Sequence, residues 1–375
     1  MRIAMLGLKG IPLGASGGGI ERHVEELAVR LARRGHRVYV YVRSYTLEGK
    51  RARVWHGVHL ISLPTIRSKN LETIVHTFLA TLHVLFLPVD VIHYHGVGPS
   101  VLSIIPRIFQ PFTKVVVTFH AIDRFHAKWG FFARGFLRFG EWAAMHFPNK
   151  TIVVSHTLRV YVHRNYGKPG IYIPNGVESK PVRKINEIAK FGLRRKGYFV
   201  TVARLIKNKG IHYLIQAFRG LKTEKKLVIV GAPSFSDDYV EYLAKIASDD
   251  PRIIFTGYQK GEVLEQLYAH AFAYVHPSEF EGLSVSILEA MSYATPVLIS
   301  EIPENLEAVD HSGFSFKPRH VQDLKSKMVY LLTNQKIAEQ MGRKGRAFVR
   351  KFFSWKKIIE KTEEVYAGKV VGDCK

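Results

Sequence analysis

Residues 273–300 read AYVHPSEFEGLSVSILEAMSYATPVLIS. A short run, Ala273-Tyr274-Val275-His276, reads as a strand and leads into a loop containing Pro, Ser, Glu and Gly. A helical pattern follows over 284–293, and a second β-prone run over 296–299. Strand, loop, helix, strand is one βαβ unit, and such a unit needs a parallel sheet. The alternation continues outward in both directions. Upstream, strands are expected at 198–203, 226–230 and 252–256, with helices near 209–220, 238–247 and 261–270. Downstream come helices at about 320–333, 335–350 and 354–367.

The first half repeats the pattern. Strands are expected near 2–6, 38–42, 58–62, 90–94, 114–119 and 151–154. In a helix over 20–34, Ile20, Val24, Leu27 and Leu31 share one face and Gly35 stops it. The apolar segment 74–92 carries His76, His83, Pro88 and Asp90 and reads as a buried helix running into a strand rather than a membrane span. After the Pro-Asn-Gly turn at 174–176 and the basic stretch 178–197 the pattern restarts. The expected architecture is α/β, with two doubly wound Rossmann-like domains facing across a cleft. Residues 1–177 form the first, 178–353 the second, and 354–375 a helix packing back on the first. Ligands in such sheets sit beyond the carboxyl ends of the strands.

Composition fits a folded enzyme or binding protein: of 375 residues, 47% are hydrophobic and 23% charged, which excludes wholesale disorder, collagen-like repeats and coiled coil. The net charge of +24 points to an anionic partner. Residues 1–175 hold 23 basic and 8 acidic side chains, so the excess is concentrated there. One cysteine, Cys374, cannot form an intramolecular disulfide, and the N-terminal residues show no secretory pattern, so a cytoplasmic protein is expected.

Four places could carry chemistry. Ser16-Gly17-Gly18-Gly19 precedes the first helix, where amides can approach a phosphate; the plainer reading is a loop with a helix cap. Its spacing fits neither the dinucleotide fingerprint nor the P-loop. In the 273–300 unit, Glu281 and Glu289 lie eight apart, suited to sugar or ribose hydroxyls, and the helix start offers amides to a diphosphate. An acidic first helical turn explains Glu281 equally simply. Arg204 and Lys209 follow the strand 198–203, well placed to neutralise a leaving phosphate, or else form a solvated basic loop. His120 ends the strand 114–119 and could donate a hydrogen bond or move a proton, though it is one of 18 histidines. His93-Tyr94-His95 lacks companions at metal-ligand spacing, and no Asp-x-Asp occurs, so no metal site is expected.

Together these features resemble the retaining, nucleotide-sugar-dependent glycosyltransferases of family 4, which have the GT-B fold. The resemblance rests on His276-Pro277-Ser278 through Glu281-Gly282, on Leu288-Glu289-Ala290-Met291 and Thr295-Pro296-Val297, and on Gly18-Gly19-Ile20-Glu21. Gly35-His36-Arg37-Val38, Pro174-Asn175-Gly176-Val177 and Val202-Ala203-Arg204-Leu205 with Lys209-Gly210 extend it nearly end to end. It implies that Glu281 contacts the donor sugar and Glu289 the ribose. Arg204 and Lys209 would then hold the diphosphate, with Gly18 and Gly19 approaching it. The backbone of Gly282, Leu283, Ser284 and Val285 would complete the cradle, and His120 would lie near the transferred sugar. It further implies a sugar moved to a hydroxyl acceptor, a glycan or lipid-linked glycan, with retention, no metal and no cofactor beyond the nucleotide-sugar donor. Leu283-Ser284 stands where the family has Phe-Gly, and Ser286 where it often has Pro.

Residues 124–142, RFHAKWGFFARGFLRFGEW, interleave Arg124, Lys128, Arg134 and Arg138 with seven aromatics. They suit either a core helix with solvated arginines or an anionic membrane surface, on which a cytoplasmic protein would sit peripherally. Two other functions fit parts of the pattern: a sugar-nucleotide epimerase of the same fold, and a basic nucleic-acid-binding protein, the less favoured.

Overall fold

The computed structural model describes all residues except 13, 15, 16, 48–53, 69–70, 126–128, 180, 235 and 370–375. Ser16, Lys128 and Cys374 therefore lie outside the described residues. The chain divides into two compact units, one of Met1–Asn175 with Trp355–Lys375, the other Gly176–Ser354.

In the first unit, β1 (Arg2–Leu6), β2 (Arg37–Arg43), β3 (Val54–Trp55), β4 (Val58–Leu63), β5 (Val91–His95), β6 (Lys114–Phe119), β7 (Lys150–Val153) and β8 (Ile171–Tyr172) form one sheet. Its order is β3-β4-β2-β1-β5-β6-β7-β8. Every pair is parallel except β3 with β4. Central strands covered on both faces need continuous apolar runs, and Val115, Val116 and Val117 are fully buried. The helix Gly19–Arg33 sets Val24, Leu27, Ala28 and Leu31 into this core, and Gly35, at φ +86°, turns the chain back into β2. The last helix, Trp355–Ala367, belongs to the same unit: Trp355, Ile358, Ile359, Val365 and Tyr366 are buried in its core.

The second unit is all parallel: β9 (Tyr198–Val202), β10 (Lys226–Val230), β11 (Ile253–Gly257), β12 (Ala273–His276), β13 (Val297–Ser300) and β14 (Phe314–Phe316), in the order β11-β10-β9-β12-β13-β14. Residues 181–197 pack into this unit, with Ile188 buried and Gln266 accepting from the amides of Glu187 and Ile188. Among the parallel strands the order turns at β1/β5 in the first sheet and at β9/β12 in the second. These are the switch points where crevices open at the carboxyl ends.

Three short strands (β3, β8, β14) are not legible in the sequence, because two or three residues carry no periodicity, and the helices His156–Tyr166 and Pro303–Val309 are also absent from the sequence reading. The segment 74–92 is a helix leading into β5, as expected, but the helix is buried on one face only. Its helix, Glu72–Val84, buries His76, Thr77, Ala80, Thr81 and Val84 but leaves Phe78 and Leu82 exposed. Thr77 and Thr81 satisfy their hydroxyls on the carbonyls of Thr73 and Thr77 (2.7 and 2.8 Å), so small polar residues sit inside and large apolar ones outside.

Candidate active site

Both loops of the second unit's switch point carry predicted residues. After β9 the chain passes Arg204 and enters a single 3-10 turn, Lys207–Lys209. After β12 it passes Pro277 and Glu279 to Glu281, then opens the helix Val285–Ser292. The loops are stapled together, the amide of Glu279 donating to the carbonyl of Asn208 at 2.8 Å. Gly210 makes this approach possible: at φ +64°, a Cβ there would lie 2.1 Å from the carbonyl oxygen of Pro277.

Across that staple the Lys209 ammonium donates to Oε1 of Glu281. His276 Nε2 lies 2.8 Å from the same oxygen. Its Nδ1 is 2.8 Å from the hydroxyl of Tyr274, which in turn lies 2.8 Å from Ser286 Oγ. Ser284 Oγ closes the chain, 3.0 Å from Ser286. Burial pushes the Glu281 carboxyl up, but Lys209 and the His276 donor together outweigh it and hold the group well below the usual carboxylate range. Burial also lowers His276, against the raising effect of Glu281, so the ring is neutral near pH 7. The result is a fixed carboxylate beside an ammonium, at the carboxyl end of a parallel sheet.

Arg204 is half-buried and makes no ion pair among the described residues. Glu289 Oε2 accepts from Tyr268 at 3.1 Å, and the Tyr268 ring packs against Tyr274 with centroids 5.9 Å apart. Glu279 is tied to Arg319 and Tyr213, which separates it from Glu281. Ser284, where a glycine was expected, has φ −71° and ψ 111°, ordinary extended backbone, and turns its hydroxyl to Ser286. A Cβ is therefore unstrained there. Gly282, Leu283 and Ser284 are buried, and Val285 begins the helix, whose first-turn amides have no intrahelical acceptor.

The other predicted residues lie in the first unit. Gly18 is the N-cap of the helix Gly19–Arg33, but its amide is not free for a phosphate: it donates to Glu21 Oε2 at 2.8 Å, while Oε1 receives the amide of Lys9 at 3.3 Å. Gly19 opens the helix, and His23, one turn in, packs edge-on against His120 with ring centroids 5.2 Å apart. His120 follows β6, buried, its Nε2 3.2 Å from His95 Nδ1. His95 packs in turn against His93, the rings tilted by 35° with centroids 4.1 Å apart. Burial pushes all four rings toward the neutral form. Both nitrogens of His93 are engaged, by Tyr366 and Thr118 at 2.7 Å each. Among the described residues no group of three His, Cys, Asp or Glu is arranged to hold a metal.

Sequence reasoning gave no role to His276, Tyr274, Ser286, His95, His23 or Glu21. A signal existed for two of them. Tyr274 and His276 are two apart in a strand, hence on one face, at the carboxyl end where ligands bind.

Two family models match. Glycosyl transferases group 1 covers residues 184–348 and Glycosyltransferase Family 4 covers 17–180. O-antigen chain mannosyltransferase B of Escherichia coli is 29% identical over 199 residues, 52% of this chain and 51% of the relative, so the match spans about half the length of that protein. Sucrose-phosphate synthase from Thermosynechococcus elongatus superposes with a TM-score of 0.84 at 23% identity, covering 98% of both chains. HepE of Anabaena, solved in complex with UDP-glucose, does so with a TM-score of 0.78 at 19% identity, covering 98% of this chain and 100% of that one. These structures share the two-sheet GT-B fold.

Proposed function

The chain belongs to the family 4 and group 1 glycosyltransferases, and we propose that it moves a sugar from a nucleoside diphosphate sugar to the hydroxyl of a glycan or lipid-linked glycan, with retention of configuration and without a metal. The observation that carries this reading is the Lys209–Glu281–His276 cluster at the β9/β12 switch point, with Arg204, which makes no ion pair among the described residues, following β9.

Breaking a glycosyl–phosphate bond leaves its electron pair on the diphosphate. Positive groups fixed where that charge develops stabilise the transition state more than the ground state. Arg204, Lys209 and the amides of Leu283, Ser284 and Val285 are the groups proposed for that task. Glu281, held ionised, accepts from donor-sugar hydroxyls, and Glu289 from the ribose. His120 and Gly19 are assigned to the sugar and the diphosphate from the first unit. In the retaining course a leaving-group oxygen takes the acceptor's proton while the new bond forms on the same face. The HepE structure, which holds UDP-glucose, supports a sugar nucleotide as donor.

The test begins with thermal stabilisation against a panel of nucleotides and sugar nucleotides, since a ligand at a hundred times its Kd adds about 2.7 kcal/mol. It continues with acceptor-dependent release of nucleoside diphosphate. In Glu281→Ala that release should fall about a hundredfold to a thousandfold. Full activity in both Glu281→Ala and Arg204→Ala removes the site assignment. Conversion of the sugar nucleotide with no nucleotide released makes the protein an epimerase.

A further inference from the structure

The helix Phe131–His146 buries one stripe and exposes the other. Arg124 pairs with the buried carboxylate of Glu141 at 3.0 Å, whose Oε2 also accepts from Tyr161 and Tyr166. The helix Phe131–His146 buries Leu137, Gly140, Glu141, Ala144 and Met145, mostly small or aliphatic. Gly140 lies so close to another segment that a Cβ would come within 2.5 Å of the Val97 carbonyl. The opposite stripe is aromatic. Phe132, Phe136, Phe139 and Trp142 follow at spacings of four and three, and all are exposed, Phe132 at 89%. A surface helix in water puts polar groups on that side.

Two hydrogen bonds carry this stripe onto neighbouring segments. Arg107, in the helix Ile104–Phe109, donates to the carbonyl of Phe147, just past the aromatic helix, at 3.2 Å. Gln110 donates to the carbonyl of Leu85, just past the helix Glu72–Val84, at 2.7 Å. Phe147 fills the joint, edge-on to Trp142 with centroids 5.4 Å apart. The exposed Phe86, Ile108, Phe109 and Phe112, the last fully in solvent, lie within two residues in sequence of the residues that make these two hydrogen bonds. Charge along these segments is mostly positive. Residues 74–147 contain three acidic side chains, Asp90, Asp123 and Glu141, against six basic ones. Asp90 is paired with Arg2 at 2.9 Å and Glu141 is buried, whereas Arg134 and Arg138 are exposed between the aromatics.

We infer that this face docks the protein on an anionic lipid bilayer. Phenylalanine and tryptophan rings enter the boundary between headgroups and acyl chains, and Arg134 and Arg138 meet lipid phosphates. Aromatic rings favour that boundary, and fixed positive charge complements an anionic leaflet. The side chains project from three separate segments, an arrangement that suits a deformable planar surface. Among the described residues no helix is long and apolar enough to cross a membrane, so the contact is peripheral. The inference rests on the first unit alone and is independent of the transfer reading.

The experiment is flotation of the full-length protein with vesicles of phosphatidylcholine, with and without phosphatidylglycerol, at low and high salt. Binding is expected to the anionic vesicles, weaker at high salt. Phe109→Ser/Phe112→Ser, which leaves the aromatic helix intact, should weaken it about tenfold or more. Arg134→Ser/Arg138→Ser should weaken it about fivefold per arginine on anionic vesicles only. All four side chains are exposed, and an unchanged melting curve confirms that each variant folds. Quenching of tryptophan fluorescence by brominated lipid reads insertion in the unaltered protein. Absence of vesicle binding by the unaltered protein overturns the proposal, as does binding that both double variants leave intact. So does a dimer in sedimentation that Phe109→Ser/Phe112→Ser dissociates, or nucleic-acid binding lost in the same variants, because either puts another occupant on this face.

Discussion

His276 reaches Oε1 of Glu281 through Nε2 at 2.8 Å, while the hydroxyl of Tyr274 stands 2.8 Å from its Nδ1. A neutral ring with its proton on Nε2 satisfies the carboxylate, and its bare Nδ1 can accept from Tyr274. His276 is thus a positioning residue that aims Glu281. His276→Leu removes a hydrogen bond to a charged group, worth about 1.5–3 kcal/mol. We expect kcat/KM for transfer to fall by about tenfold to a hundredfold, with His276→Gln, which keeps an N–H, losing less. Equal losses in the two variants would mean that the ring only fills space.

Lys209 and Glu281 form a mostly buried pair, their side chains 14% and 10% exposed. Removing one partner strands the other, at a cost of about 3–5 kcal/mol, whereas removing both is far milder. Lys209→Met and Glu281→Gln should therefore each destabilise the protein, and the double variant should lose clearly less than the sum of the two single losses. Urea denaturation of the four proteins measures the coupling. Additive effects would place the two groups out of contact in solution.

Much of this was readable in the residues, for identifiable reasons. The parallel strands are buried on both faces, so they stand out as short apolar runs, and Gly35 marks the turn from the first helix into β2. Glu281, Lys209 and Arg204 fall at strand ends, where doubly wound sheets bind ligands. What stayed hidden depends on contacts between residues distant in sequence. The amide of Gly18 is taken by Glu21, and the loops after β9 and β12 are stapled through Asn208 and Glu279. The outward aromatic face of 131–146 was ambiguous for a different reason: composition alone does not say which stripe of a helix small residues will bury.

Burial of neutral histidines makes the first unit sensitive to acid. His23 and His76 are pushed down to about 4 and His93 to about 3, chiefly by burial. In the unfolded chain they titrate near 6.5, about the usual value. Below that pH the unfolded state binds protons that the folded state refuses, so stability is complete above about 6.5 and is lost as pH falls toward 4. Each such histidine contributes a slope of about 1.4 kcal/mol per pH unit in that window. Glu281, shifted down, has the same sign but acts only below about pH 4. Melting temperatures taken from neutral to mildly acid pH should fall from about pH 6.5, and His76→Leu should flatten the slope. A melting temperature constant down to about pH 5 would show these rings to be solvated.

Gly210 gives the sharpest separation of site from fold. Its φ of +64° and the 2.1 Å approach to the Pro277 carbonyl mean that alanine there must push the loop after β9 away from the loop after β12. That movement draws Lys209 off Glu281 and breaks the staple between Asn208 and Glu279. The strands themselves are untouched, since β9 and β12 pair through Phe199 with Ala273 and Val200 with Tyr274, well below the loops. Gly210→Ala should therefore cost about 1–3 kcal/mol of stability, the range for strained backbone. It should also lower transfer by about a hundredfold or more, the scale for losing a fixed charge at the leaving group. Far-ultraviolet circular dichroism and acceptor-dependent nucleotide release, measured on one preparation, separate the two effects. Native-like activity in Gly210→Ala would show that the contact between these loops, and with it the placement of Lys209 on Glu281, is not needed for transfer.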